Sequence, residues 1–345
     1  MQISVQKTPL TLSTSQNQQG RLHPLVPVGG EQLPLDRNPK ILGVTFDPHF
    51  HFHRHVEAIE ERAKQRLSLL KALTGTSWGQ QKETLIATYK ALIDSLFSYA
   101  APIWYPNASK TSVNKLQTIQ NSALRVATGC LMMSPIDHLH VEAEILTVKE
   151  HLDMLCSQAL ATYLQRGHPS FSVVSADSGP RNKKQTLQRR FNSAVAPYMN
   201  HDGTIADAAS VGSSLHTSAV SDSIQARGIN RVLGAPAPPV HEEEQQLPRK
   251  TRRILAQLRS GYCSSLNDYR HRVELSGSNI CPCCRREEHT VRHIFDCRER
   301  PTDLRPEDLW LRPVRVAEFL RTLPFFELPA EPGPPPEPPP PNIPT

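Results

Sequence analysis

HRHVEAIEERAKQRLSLLKAL, residues 53–73, is where the apolar residues of this chain change their period. Val56, Ile59, Ala63, Leu67, Leu70 and Leu73 recur every three or four positions, the spacing that gathers on one face of a helix with 3.6 residues per turn. Upstream the period is two. VQKTPLTLST (5–14), LHPLVPV (22–28) and KILGVTFD (40–47) alternate in the manner of strands, separated by Gln/Asn/Gly and Gly-Gly-Glu turns. Three short strands cannot close a core alone, and Met1 enters almost directly into the first. A sheet whose other strands are missing from the chain is therefore expected.

Downstream the helical period continues. Leu85, Tyr89, Leu92, Leu96 and Tyr99 form a second apolar face, and Val113, Leu116, Ile119, Ala123 and Ala127 a third. Short breaks at Gly75–Gly79 and Pro102–Ser109 make these three helices antiparallel neighbours. A fourth helix is expected from Thr147, where Thr147 and Glu150 form a capping-box pattern, to about Gln165, with Leu152, Leu155, Cys156 and Leu160 facing the bundle. These positions are read as core. The Ser/Ala/Gly-rich stretch from Ser172 to Gln246 reads as a flexible linker with helices at 184–199 and 216–227. From Pro329 the chain runs into PGPPPEPPPP, which predicts an extended, disordered tail. HFHFHRH places His49, His51, His53 and His55 at alternating positions, where they could share a face and bind a metal adventitiously.

ICPCCRREEHTVRHIFDC, residues 280–297, carries chemistry of a different kind. Cys281 and Cys284 have the two-residue gap of a ligand pair on a turn; eight residues later His293 and Cys297 sit four apart, on one face of a helix. The spacing yields a Cys3His set for one structural zinc ion: Cys281, Cys284, His293 and Cys297. Cys283 could replace a neighbouring cysteine, and His289 could replace His293. Four of the 7 cysteines lie in this cluster. An odd count and the lack of a recognisable signal peptide point to a reducing, intracellular compartment, nucleus or cytoplasm. No apolar run reaches the roughly 18 residues of a membrane span.

The net charge of +6 is concentrated. Between Arg249 and Arg300 there are twelve Lys or Arg against six acids, a difference equal to the whole excess. This favours a polyanionic partner at the cluster and its approach, with Arg249, Lys250, Arg252, Arg253, Arg285, Arg286 and Arg292 as the expected contacts. Tyr262 and Tyr269 could add stacking on unpaired bases. No Gly-rich phosphate loop, nucleophile elbow or Cys–His pair of catalytic spacing is present, so no small-molecule substrate is expected.

KILGVTFD, TSWGQQKETLIATYKALIDSLFSYAAPIWYP, LQTIQNSALRVATGC and LTVKEHLDMLCSQ, taken in series, resemble the reverse transcriptase of jockey-like non-LTR retrotransposons. VLGAPAPPV, LAQLRSGYCSSLNDYRHRV and the Cys3His cluster resemble the carboxyl-terminal segment of the same reading frames. The likeness runs from about Lys7 to Leu320. It implies a mainly α chain: palm strands with a primer-grip-like segment over 1–50 (Leu42, Gly43, Val44), a thumb-like helical bundle over 51–170 and a partly helical, partly disordered linker over 171–246. A basic segment with a small zinc knuckle over 247–325 completes it; beyond the likeness, the proline-rich composition gives a disordered tail over 326–345. It also implies RNA or DNA as partner. The family polymerises with Mg2+ held by palm aspartates, two of them adjacent, and this chain has no Asp-Asp pair. The expectation is a truncated fragment with no catalytic residues that retains nucleic-acid binding. The alternative is an inert or protein-binding remnant with a structural zinc site.

Overall fold

The computed structural model describes residues 8–14, 18–75, 79–175, 186–274 and 277–329. Two antiparallel hairpins come first, β1 (Pro27–Val28) with β2 (Glu31–Gln32) and β3 (Lys40–Ile41) with β4 (Val44–Thr45). Helices follow: α1 (His53–Ala72), α2 (Lys82–Tyr89), α3 (Ser95–Ser98), α4 (Ala101–Trp104), α5 (Lys110–Thr128), α6 (Ile136–Ala143), α7 (Val148–Tyr163) and α8 (Phe171–Ser175). Then come α9 (Leu187–Val195), α10 (Ala208–Ala226), α11 (Arg249–Arg259), α12 (Asn267–Glu274), α13 (Val291–Asp296), α14 (Asp308–Leu311) and α15 (Pro313–Arg321). They gather into two compact units. The first takes the described residues of 1–71, 86–123 and 144–226, the second those of 72–85, 124–143 and 227–345.

In the first unit, KILGVTFD is not one strand but a hairpin. Leu42 and Gly43 both take left-handed backbone, with φ of 47° and 83°, the conformation of a two-residue turn whose twist matches the flanking strands. The alternation was legible, but Gly43 in its middle is what permits the reversal. The Tyr99 hydroxyl donates to the Leu42 carbonyl at 2.7 Å, and a Cβ on Gly43 would lie 3.3 Å from the Tyr99 ring.

Helix α1 buries Val56, Ile59, Ala63, Leu67 and Leu70 as its spacing predicts; Leu73 lies beyond its end and is exposed. Helix α5 buries its expected face from Val113 to Ala123 within this unit. The second face differs. Ile93 and Phe97 are buried, not Leu92 and Leu96, and Tyr99 is exposed. The physical reason is a π-helical turn at Lys90–Asp94, continuous with α2 and α3. Its extra residue rotates everything beyond it, so that Tyr89, Ile93 and Phe97, spaced by four, stay on one side. Helix α7 opens on the expected capping box: the Glu150 amide donates to Thr147 Oγ1 at 3.2 Å and the Thr147 amide to Glu150 Oε2 at 2.7 Å. It buries Leu152, Cys156 and Leu160, with Met154 inside and Leu155 half-buried.

Within the stretch read as a linker, α9 and α10 pack along α7. Phe191 and Val195 of α9 are buried, as are Ala208, Val211 and Leu215 of α10, and Gln158 of α7 donates to the Gly212 carbonyl at 2.8 Å. Arg190 stacks 4.3 Å over the Tyr105 ring and donates to the carbonyls of Tyr105 and Pro106.

The second unit is built on α11. Leu255 and Leu258 pack with Leu309, Trp310, Val316 and Leu320 in one apolar cluster. The polar side of α11 is also buried. Arg259 has no exposed surface; it donates to Glu142 Oε1 at 2.9 Å and the Leu309 carbonyl at 3.0 Å, and pairs with Glu244. Lys82 reaches Glu142 at 3.3 Å. Burial alone would raise the Glu142 carboxyl, but Arg259 foremost, then Lys82, holds it well below the usual carboxylate range. The Pro-rich tail lies outside the described residues from residue 330 onward, as do the first seven residues.

Candidate metal centre and basic surface

The peptide bends sharply after Cys281. The Arg285 amide donates to the Cys281 carbonyl at 3.0 Å and the Cys281 amide to the Glu287 carbonyl at 2.8 Å, with Arg285 itself at φ 56°. This turn aims the Cys281 and Cys284 sulfurs the same way. Thr290 then caps α13 by accepting from the His293 amide at 3.3 Å, which fixes His293 in its first turn. Cys297 is not on the helix, as the four-residue spacing had suggested, but caps its end in extended backbone. Residues 277–290 are tied to α12 through Asn267, whose side chain donates to the Ile280 carbonyl at 2.8 Å.

The ligand atoms of Cys281, Cys284, His293 and Cys297 all lie within 4.8 Å of one another. Cys281 Sγ stands 4.0 Å from Cys297 Sγ, and Cys284 Sγ 3.3 Å from His293 Nε2. Tetrahedral sulfur ligands at zinc–sulfur distances of about 2.3 Å stand about 3.8 Å apart, so the cluster has the dimensions to hold a metal ion. Glu287 accepts from the far side of the ring, 3.1 Å from His293 Nδ1, which leaves Nε2 facing the sulfurs. The amides of Glu287 and Arg286 lower the Cys284 thiol to about 7, whereas burial raises that of Cys281 to about 11.

Both alternative ligands fall away. His289 is buried, accepts from the Asn267 amide at 3.1 Å and meets the Phe325 ring edge-on at 4.4 Å. Cys283 is half-buried and outside the donor group. The histidines of HFHFHRH do not converge. His55 is buried and accepts from the Thr45 amide, His49 approaches the Thr14 carbonyl, and Asp47 holds the turn by accepting from the amides of His49, His51 and Phe52. Among the described residues, the Cys3His cluster is the only group of three or more such donors placed for a metal.

The basic residues divide. Arg252 is 6% exposed and bound to Glu83 and Gln81; Arg249 donates to the carbonyls of Gln80 and Val126, and Arg253 to that of Gly75. Lys250 is half-buried, 4.0 Å from Glu327. Arg285 and Arg286 are exposed, and their guanidinium groups have no partner among the described residues. Arg292 is exposed and anchored by Nε to the Val232 carbonyl at 2.7 Å. Tyr262 is buried against Arg231, whose guanidinium lies 4.5 Å over its ring. Of the primer-grip-like residues, Leu42 is 86% exposed at the hairpin tip, Gly43 makes the turn and Val44 is buried. The acids Glu83, Glu142, Glu244 and Glu287 escaped the sequence reading. The one signal is the acidic run HEEEQQ (241–246), in which Glu244 is a buried partner of Arg259. Among the described residues no helix is long and apolar enough to cross a membrane.

The chain is 26% identical over 166 residues to a probable RNA-directed DNA polymerase from transposon BS of Drosophila melanogaster, a match covering 48% of this chain and 18% of that protein. A probable RNA-directed DNA polymerase from transposon X-element of the same fly is 25% identical over 155 residues, 41% of this chain and 17% of the relative. A retrovirus-related Pol polyprotein from type-1 retrotransposable element R1 4 of Nasonia vitripennis is 25% identical over 105 residues, 30% of this chain and 26% of the relative. The matched stretch thus spans at most 26% of these relatives' own length. The homologues of this chain are RNA-directed DNA polymerases of non-LTR retrotransposons. No family model and no solved structure matches it.

Proposed function

We propose that this chain is the nucleic-acid-holding part of a jockey-like non-LTR retrotransposon reverse transcriptase, in which zinc at Cys281, Cys284, His293 and Cys297 stiffens a loop that offers Arg285 and Arg286 to RNA or DNA. One observation carries the reading. Two exposed arginines without internal partners sit on the loop between the cysteine pair and His293. When bound, zinc compensates the charge of the thiolates and removes the entropy of the loop. The arginines then meet phosphates from a fixed frame, with Arg292 beside them. The first unit would act as the thumb, with Leu42–Val44 the primer-grip-like segment.

These residues hold nucleic acid without chemistry, because two-metal polymerisation needs carboxylates a few ångströms apart and the 345 residues contain no Asp-Asp pair. Given primer, template, nucleotides and magnesium, the chain should extend nothing. Cys284→Ser should lower zinc content and RNA affinity together. Arg286→Ala should lower affinity alone and reduce the salt slope of binding by about one. RNA binding that is indifferent to both substitutions would exclude the knuckle as the contact.

A further inference from the structure

Helix α11 begins with an unusual arrangement of charge. Arg249, Lys250, Arg252 and Arg253 occupy its first turns and no acid does, although the positive end of a helix dipole disfavours cations. Pro248 at the N-cap has no side-chain acceptor to offer the first amides. Lys82, Arg249, Arg252 and Arg253 line a cleft with Glu142 and Glu244, open to solvent on one side, whose enclosed part measures about 10 Å³, room for one water-sized atom. The two carboxylates are engaged by Arg259, and Glu142 by Lys82 as well.

Two buried donors in this lining have no acceptor. Arg252 is 6% exposed and gives its terminal nitrogens to Glu83 and Gln81, but its Nε has no hydrogen-bond partner; the nearest carboxylate oxygen, Glu244 Oε1, is 3.8 Å away. Nε of Arg249 is likewise buried and unpartnered. Buried N–H groups left unpaired cost free energy that an incoming oxygen would recover. Four cations, two orphaned guanidinium N–H groups and uncapped helix amides together describe an acceptor-rich, multiply charged ligand.

We infer that the cleft at the start of α11 binds a phosphate group, one oxygen of which meets the Nε–H groups of Arg249 and Arg252. The phosphate belongs either to a nucleic-acid backbone or to free inorganic phosphate. The inference goes beyond the knuckle reading, since no zinc ligand lines this cleft.

The test is thermal melting of the full, zinc-loaded chain in phosphate and in chloride at matched ionic strength and pH. Phosphate at tens of millimolar should raise the melting temperature by about 3 °C over chloride. Arg249→Gln, with circular dichroism confirming its fold, should lose this shift, and Arg286→Ala should keep it even where it weakens RNA binding. If Arg249→Gln does not fold, the wild-type comparison decides. A short single-stranded oligonucleotide that displaces phosphate identifies the backbone as the source; failure to displace it identifies free phosphate. Equal melting in the two salts, or a folded Arg249→Gln that retains the whole shift, overturns the inference.

Discussion

Arg259 belongs to the basic excess between Arg249 and Arg300 by count but contributes nothing to the surface. Its guanidinium has no exposed area and lies between Glu142, 117 residues away in the chain, and Glu244, 15 residues before it. Truncating one member of such a buried set strands the others, at a cost of roughly 3–5 kcal/mol. Arg259→Met should therefore lower the unfolding free energy of the second unit by that amount, read from chemical denaturation, whereas Arg285→Met, on an exposed and unpartnered side chain, should leave it within measurement error. His55 carries a pH dependence. Burial first, then the charges of Arg62 and Lys40, lowers it to about 4 from an ordinary 6.5. A folded pKa below the unfolded one gives stability that is complete above pH 6.5 and lost as pH falls towards 4. Between those values the melting temperature should fall with acid, and His55→Gln should flatten that slope.

Among the elements, those whose signal is local were legible. The faces of α1 and α5 follow from spacing alone, and the Thr147–Glu150 box is a contact between residues three apart. Replacing Thr147 by Ala should cost about 1 kcal/mol, read from chemical denaturation of the first unit. The π-turn was not legible as such, although its trace was present: Leu85, Tyr89, Ile93 and Phe97 are spaced by four throughout, which an unbroken α-helix carries off one face. Deleting Ala91 should convert the π-turn to ordinary α-helix and leave Ile93 and Phe97, then three and seven residues after Tyr89, on the buried face, so the first unit should keep its cooperative melting. Helices α9 and α10 lie where helices were expected, at 184–199 and 216–227, with α10 reaching back to Ala208; composition hid only their packing along α7, because a Ser/Ala-rich stretch reads like a linker. The β3–β4 turn was hidden by alternation, which one strand and a tight hairpin share.

At the scale of the whole chain, the charge excess between Arg249 and Arg300 was read as one surface, and the structure separates it into residues bound internally and residues presented to solvent. Sequence distance hides these pairings: Glu83 and Glu142 lie more than a hundred residues before the arginines they bind. The Cys3His set was legible because a tetrahedral site imposes its spacing on the chain, and the four donors converge as that spacing required. The central claim joins this cluster to nucleic acid. It is tested most directly by stripping metal from the full chain, adding zinc back in steps, and following bound zinc and the fluorescence anisotropy of a labelled single-stranded RNA in the same samples. The account predicts that binding rises with zinc and saturates at one ion per chain. RNA affinity that is the same in the metal-free and zinc-loaded chain, or a chain that takes up no zinc, would contradict it.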